Sequence, residues 1–337
     1  MAVISLRGWH PAIAREEAAA MFPEASIERT AARRLLTVSD GSDWNRVDVM
    51  SGTECVLVAG GICEWTNLGD LIEQIEFEGK SSMAVECWRH EGKLPISTRE
   101  VEKKLGALFF DAGAEINLTN PTNRFGVVLD ASANMVAWGW MVGPGPGKQG
   151  WSAMRANKRP FFRPVSIEPR LARAAVNIAA GPHTGFVVDP MCGTGGILIE
   201  SALSGRPTIG VDFDQVMAQG SRENLAWAKA EAEVVCADAT TFVYPENLAA
   251  VVVDPPYGRN SQGEEELLSK TLFNLHNQHP DAGLVVILPA EPGGENLDEK
   301  IESEIQIPGY KIKSAFGIPV HKSLTRIMIF ASNALQD

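Results

Sequence analysis

The sequence predicts an α/β protein: a doubly wound, mostly parallel seven-stranded sheet in the C-terminal half, preceded by a smaller α+β region. Three observations carry this. From about residue 165, short apolar runs alternate with longer amphipathic ones, the pattern of strands joined by helical crossovers. Acids close the successive strands, at Asp189, Asp212, Asp238 and Asp254. A glycine-rich turn, Asp189-Pro190-Met191-Cys192-Gly193-Thr194-Gly195-Gly196, joins the first of these strands to the first helix.

In chain order, Met1 to about Thr53 suggests a strand, a helix over Pro11–Met21 and further short strands. From Val56 to Trp140, helical stretches (Leu68–Ile75, Arg99–Ala112) alternate with strands (Met83–Trp88, Phe125–Leu129, Met135–Met141). The Gly/Pro-rich Val142–Gly150 marks a linker. Then come strands at Phe186–Val188, Thr208–Val211, Val234–Cys236, Ala249–Val253, Gly283–Leu288, Tyr310–Phe316 and Thr325–Phe330. Helices are expected at Ile197–Ser204, Gln215–Glu231 and Glu264–Gln278. A right-handed parallel arrangement puts ligands at the carboxyl ends of the strands, where the four acids fall.

The chain has 337 residues, enough for about two domains. No apolar run approaches the ~20 residues of a membrane span, and the N-terminus lacks a signal-peptide layout. Five cysteines without a C-x-x-C pair read as reduced thiols of a cytoplasmic protein. His276 and His279 have H-x-x-H spacing but no acid or cysteine partner, so no metal is expected and they read as a solvated helix face. The net charge of −12 excludes a polyanion binder that uses its whole surface. One segment runs against that balance: Lys148, Arg155, Lys158, Arg159, Arg163, Arg170 and Arg173 face only Glu168 between residues 148 and 177. This segment can bind phosphates locally or be a solvated linker.

Two motifs carry chemistry. The turn after Asp189 fails the dinucleotide pattern G-x-G-x-x-G, because Leu198 holds its third glycine position. What remains is an acid before the turn, a second at Asp212 and a third in Cys236-Ala237-Asp238-Ala239. That series suits S-adenosylmethionine: one carboxylate near its ammonium, one on the ribose, one on the adenine amine. Singly, each acid is also an ordinary helix cap. The second motif is Asp254-Pro255-Pro256-Tyr257, following Val251-Val252-Val253. The carboxylate and the Pro255 carbonyl can accept the two hydrogens of a planar exocyclic amine, and Tyr257 offers a ring face to a base. Proline supplies stiff carbonyls without a competing donor. Alone, the motif is also compatible with a strand-exit turn.

Together these motifs resemble the class I amino-methyltransferases. The segment from Arg159-Pro160-Phe161-Phe162-Arg163-Pro164 to Arg173, and His321-Lys322-Ser323-Leu324-Thr325-Arg326 near the end, are similar to the tRNA guanosine N2-methyltransferases acting at position ten. Met83–Arg89, Glu102–Gly106 and Asn117–Pro121 look like a THUMP domain, an RNA-binding module. The resemblance implies a ferredoxin-like domain over 1–55, THUMP over 56–145, a linker over 146–165 and a Rossmann-like methyltransferase domain over 166–337. It implies catalytic roles for Asp254, Pro255, Pro256 and Tyr257. It assigns the cofactor to Pro164, Asp189, Cys192, Gly193, Thr194, Gly195, Asp212, Phe213, Asp238 and Ala239, and RNA to Lys148, Arg155, Lys158, Arg159 and Arg163. The expected partner is tRNA, and a small activating methyltransferase partner is admitted. Val165 departs from the family, which often has glycine there. Rival readings are N2-guanine or N6-adenine methylation at another RNA or DNA site, and an RNA-binding protein with a relic cofactor fold. Glutamine methylation fits less well, since that group favours Asn before the prolines.

Overall fold

The computed structural model describes residues 1–39, 43–147, 150–164, 166–256, 261–290, 307, 309–321 and 324–333. The chain divides into two compact units, Met1–Gln149 and Gly150–Asp337.

The first unit is built on one sheet. Its elements are β1 (Ala2–Leu6), α1 (Pro11–Met21), β2 (Ile27–Arg29), β3 (Leu35–Val38), β4 (Thr53–Glu64), α2 (Leu68–Glu73), β5 (Met83–Arg89), α3 (Thr98–Asp111), β6 (Asn123–Asp130) and β7 (Met135–Val142). The strand order is β2-β3-β1-β4-β7-β6-β5, with only β5 and β6 parallel. The expected boundary at residue 55 falls inside β4, so strands from both sides of it share this sheet. Ile4, Phe22, Leu36 and Met50 belong to one core and Leu105, Phe109, Phe125 and Val127 to another, while a third, with Val3, Leu35, Leu57, Val128 and Ala137, joins residues from both sides of the boundary. β4 bends at Ala59-Gly60-Gly61, where the register with β7 shifts and Ala59 takes φ +49°. A Cβ on Gly60 would overlap the Trp138 carbonyl. The Gly-Gly punctuation that makes this bulge is also what hides β4 from a periodicity reading.

The second unit holds α4 (Pro169–Ala180), β8 (Phe186–Asp189), α5 (Gly196–Leu203), β9 (Thr208–Asp212), α6 (Gln215–Ala228), β10 (Glu233–Cys236), β11 (Leu248–Val253), α7 (Ser261–Gln278), β12 (Gly283–Ala290), β13 (Tyr310–His321) and β14 (Leu324–Asn333). The order is β10-β9-β8-β11-β12-β14-β13. The first five strands pair in parallel, and β14 runs antiparallel between β12 and β13. Burial on both faces explains the β-branched runs: Val251, Val252 and Val253 are fully buried. The order reverses between β8 and β11, so Asp189 and Asp254 leave neighbouring strands at the switch point of a doubly wound sheet. Helix α4 was not expected. Its start is set by Glu168, which accepts the Leu171 N–H at 3.1 Å, and by Pro169 in the first turn. The expected solvated face at His276 is corrected: the imidazole is half-buried, edge-on to Tyr310 at 4.9 Å.

Candidate active site

The turn after β8 is shaped by two left-handed glycines, Gly193 at φ +50° and Gly195 at φ +75°. A Cβ on Gly193 would meet nothing within 4 Å, whereas one on Gly195 would collide with Ser221 Oγ on α6. Only glycine takes both conformations without strain. The turn is held from below by Asp212: its Oδ2 accepts the Gly193 N–H at 2.8 Å and its Oδ1 the Asp214 N–H at 2.9 Å. Above it lies a cleft of about 310 Å³ lined by Arg163, Pro164, Ser166, Met191, Ile197 and Met217, among others. Asp189, Cys192, Gly193 and Thr194 enter it from the β8 side, and Asp254, Pro255 and Pro256 from the β11 side. Apolar walls with carboxylates at one end suit a cationic sulfonium attached to a nucleoside.

Electrostatics separates the acids. Asp189 is 2% exposed, with Oδ1 accepting the Met191 N–H at 3.1 Å. Burial holds its carboxyl well above the usual carboxylate range, and the charges of Asp254 and Asp212 push the same way. Burial also raises Asp212, against the pull of its two backbone N–H donors. Asp254 is paired instead: Arg326 Nη2 stands 3.3 Å from its Oδ2. Asp238 is exposed and lowered by hydrogen bonds from Thr240, whose hydroxyl lies at 2.7 Å and N–H at 2.9 Å. The Cys192 thiol is pushed far up by burial and then by Asp189, so it is an inert packing group.

The sequence-predicted cofactor residues thus fall into two groups. Pro164, Asp189, Cys192, Gly193 and Thr194 line the cleft. Gly195, Asp212, Phe213, Asp238 and Ala239 do not; Gly195 and Asp212 shape the turn from behind. Phe213 (72% exposed) and Asp238 share a rim, because the Ala237 N–H bonds the Asp212 carbonyl and Cys236 Sγ approaches the Phe213 carbonyl at 3.6 Å. Ala239 is buried, its carbonyl accepting from Tyr244 and Asn274. Tyr257, Lys148 and Val165 lie outside the described residues.

Arg155, Lys158 and Arg163 are exposed, as a phosphate-binding role requires. Arg159 is a correction. It is 5% exposed, with Nε and Nη2 both donating to the Met154 carbonyl at 3.2 and 3.1 Å, and a Cβ on Gly196 would sit 3.1 Å from its Nη1. Burial lowers its pKa and Glu200 opposes that shift. It serves the interior of the unit and is withdrawn from phosphate.

Sequence reading missed Asn224. Fully buried on α6, it accepts the Phe161 N–H at 2.9 Å and donates to the carbonyls of Phe161 at 2.8 Å and Thr194 at 2.9 Å. Gly220, one turn earlier, leaves the notch that the Phe161 ring fills. The pair clamps the segment before α4 to the glycine turn. A buried polar residue on a helix one turn from glycine was the available signal.

A family model described as RMKL-like, methyltransferase domain, matches residues 156–297. A tRNA (guanine(10)-N2)-dimethyltransferase of Methanothermobacter thermautotrophicus is 32% identical over 270 residues, covering 78% of this chain and 77% of that one. The chain belongs to the tRNA guanine(10)-N2 methyltransferase family. A second such relative of this family, from Pyrococcus abyssi, is 29% identical over 258 residues, covering 74% of this chain and 72% of its own. The crystal structure of TrmN from Thermus thermophilus aligns over 98% of this chain and 99% of that one, at 19% identity and a TM-score of 0.49.

Proposed function

We propose that the protein methylates the exocyclic 2-amino group of a guanosine in tRNA, at position ten, using S-adenosylmethionine. The observation that carries this is the meeting of Asp254, Pro255 and Pro256 with Asp189 and the glycine turn in one cleft at the switch point.

The guanine 2-amino nitrogen is a poor nucleophile because its lone pair is delocalised into the ring. Asp254 and the Pro255 carbonyl, by accepting its two hydrogens, draw the nitrogen toward tetrahedral geometry and aim its lone pair. S-adenosylmethionine, when bound, would supply an electrophilic methyl on a sulfonium whose sulfur leaves with the carbon–sulfur bonding pair as the guanine nitrogen takes the methyl. Asp254 then receives a proton from the nitrogen and passes it to water. Bound S-adenosylmethionine would be held with its ammonium toward Asp189, its ribose beside the glycine turn that Asp212 braces, and its adenine toward Phe213 and Asp238. Tyr257 stacks on the extruded base.

Exposed Arg155, Lys158 and Arg163 contact tRNA phosphates in this reading, together with Lys148. The first unit comprises the ferredoxin-like (1–55) and THUMP (56–145) portions, which share a sheet and one of its cores. The linker is 146–165 and the catalytic domain 166–337. A small activating methyltransferase partner is part of the same reading. So is a cytoplasmic setting, consistent with cysteines that are all free; no helix among the described residues is long and apolar enough to cross a membrane.

The test separates chemistry from binding. Asp254→Ala lowers single-turnover methylation of tRNA by about 10³-fold, the scale of a lost acid–base or electrostatic group. Its S-adenosylmethionine Kd, read by calorimetry, stays within about threefold of wild type. Retained turnover would sink the amine clamp.

A further inference from the structure

We propose that Arg326 is a positioning residue for the reaction: from β14 it holds the Asp254 carboxylate ionised and oriented as the amine acceptor, without touching the substrate itself. This rests on the function proposed above, in which Asp254 accepts from the guanine amine.

Four observations support it. The guanidinium Nη2 stands 3.3 Å from Asp254 Oδ2, with the two side chains 4% and 12% exposed, so the pair is shielded from water. Asp254 lines the cleft and Arg326, among the described residues, does not. Among the described residues, its route to a ligand there is Asp254. The topology shows that the reach is specific. β14 lies two strands from β11, roughly 10 Å at ordinary strand spacing, and only a long side chain closes that gap. Arg326 pairs in register with Pro289 on β12, while Val253 pairs with Val286, so Arg326 sits three positions beyond the last pair of β11, and its side chain reaches back to Asp254.

The fourth observation is the neighbourhood. Among the described residues, the charged groups near Asp254 are Arg326 from β14 and Asp189 at the end of β8, with Arg163 lining the same cleft. Two carboxylates meet where a neutral amine must be recognised by an ionised one. Asp189 is desolvated and driven toward its neutral form. The buried arginine settles which of the two cleft acids carries the charge, two carboxylates being given two roles by their surroundings.

The experiment uses the full chain with unmodified tRNA. Arg326→Gln and Arg326→Lys are compared with wild type for single-turnover kcat across pH, KM for tRNA, S-adenosylmethionine Kd and thermal melting. The expected result for Arg326→Gln is a loss of about 10²-fold in kcat. The acid limb of its profile moves up by about one pH unit, because the carboxylate has lost its cation. KM and Kd stay within about threefold, and Arg326→Lys recovers at least about tenfold of the loss by restoring charge without the fork. An unchanged kcat, an acid limb that stays put, or a loss wholly in Kd overturns the proposal. Should Arg326→Gln fail to fold, Arg326→Met, a neutral side chain of similar length, is read in its place: a normal melt with wild-type kcat and profile overturns the proposal, while reduced kcat with an acid limb moved up supports it. Wild-type protein that forms no N2-methylguanosine overturns the function itself. Wild-type activity shared undiminished by both variants overturns this inference alone.

Discussion

Asn224 illustrates what one residue does here. Its amide makes three hydrogen bonds that no apolar side chain can replace, and all three go to the backbone around the cofactor turn. Removing it strands a buried N–H and two carbonyls, each costing about 1–3 kcal/mol if left unpaired. Asn224→Ala is expected to destabilise the protein by roughly 2–4 kcal/mol in denaturant melts. It should also weaken S-adenosylmethionine about tenfold by calorimetry, since the Phe161–Pro164 segment and Thr194 both belong to the cleft region. A Kd unaltered by the substitution would mean that the clamp serves stability alone. Gly195 acts at the same scale: the turn needs φ +75° and room for Ser221. Both features were visible in the glycine spacing. Asn224 was not, because a polar residue on an amphipathic helix is ordinarily solvated and only its tertiary partners distinguish it.

At the scale of elements, α4 and α5 are joined through a buried ion pair, Arg173 Nη2 to Glu200 Oε2 at 3.0 Å. Burial pushes the Glu200 carboxyl up to about 7, against the pull of Arg173 and Arg159. The folded state therefore binds this proton more tightly than the unfolded chain. Its contribution to stability is complete below about pH 4.5, the unfolded value, and is lost as pH rises through about 7. Between pH 6 and 8 the group should cost on the order of 1 kcal/mol. Glu200→Gln should remove that part of the slope in melts at the two pH values; parallel profiles for variant and wild type would contradict the assignment. The strands β8, β9, β11 and β12 were legible because burial on both faces favours β-branched, apolar runs. Helix α4 escaped because Arg170 and Arg173 were counted with the basic segment, although Arg170, Arg173 and Asn177 fall at i, i+3 and i+7, a polar stripe on an otherwise apolar helix. Its Glu168-Pro169 start was the missed signal. Arg159 was misplaced for a related reason: a basic segment does not reveal which cation turns inward, and that depends on the Met154 carbonyl and the space beside Gly196.

For the whole molecule, the net charge of −12 and the local basic segment oppose one another. A protein with this balance meets a polyanion through a small set of phosphate contacts, so its affinity depends on salt in proportion to their number. Arg155→Glu combined with Lys158→Glu should weaken tRNA binding and reduce the slope of log K against log salt by roughly 1–2, measured between 50 and 200 mM salt. An identical slope would leave the segment a solvated linker. The central claim is that the cleft between Asp189 and Asp254 delivers a methyl group to guanine N2 in tRNA. Incubating the protein with unmodified tRNA and isotopically labelled S-adenosylmethionine, then analysing nucleosides and fragments by mass, tests this most directly. The expected label is in N2-methylated guanosine at position ten; label in N6-methyladenosine, label confined to another nucleotide, or no label in tRNA would contradict the account.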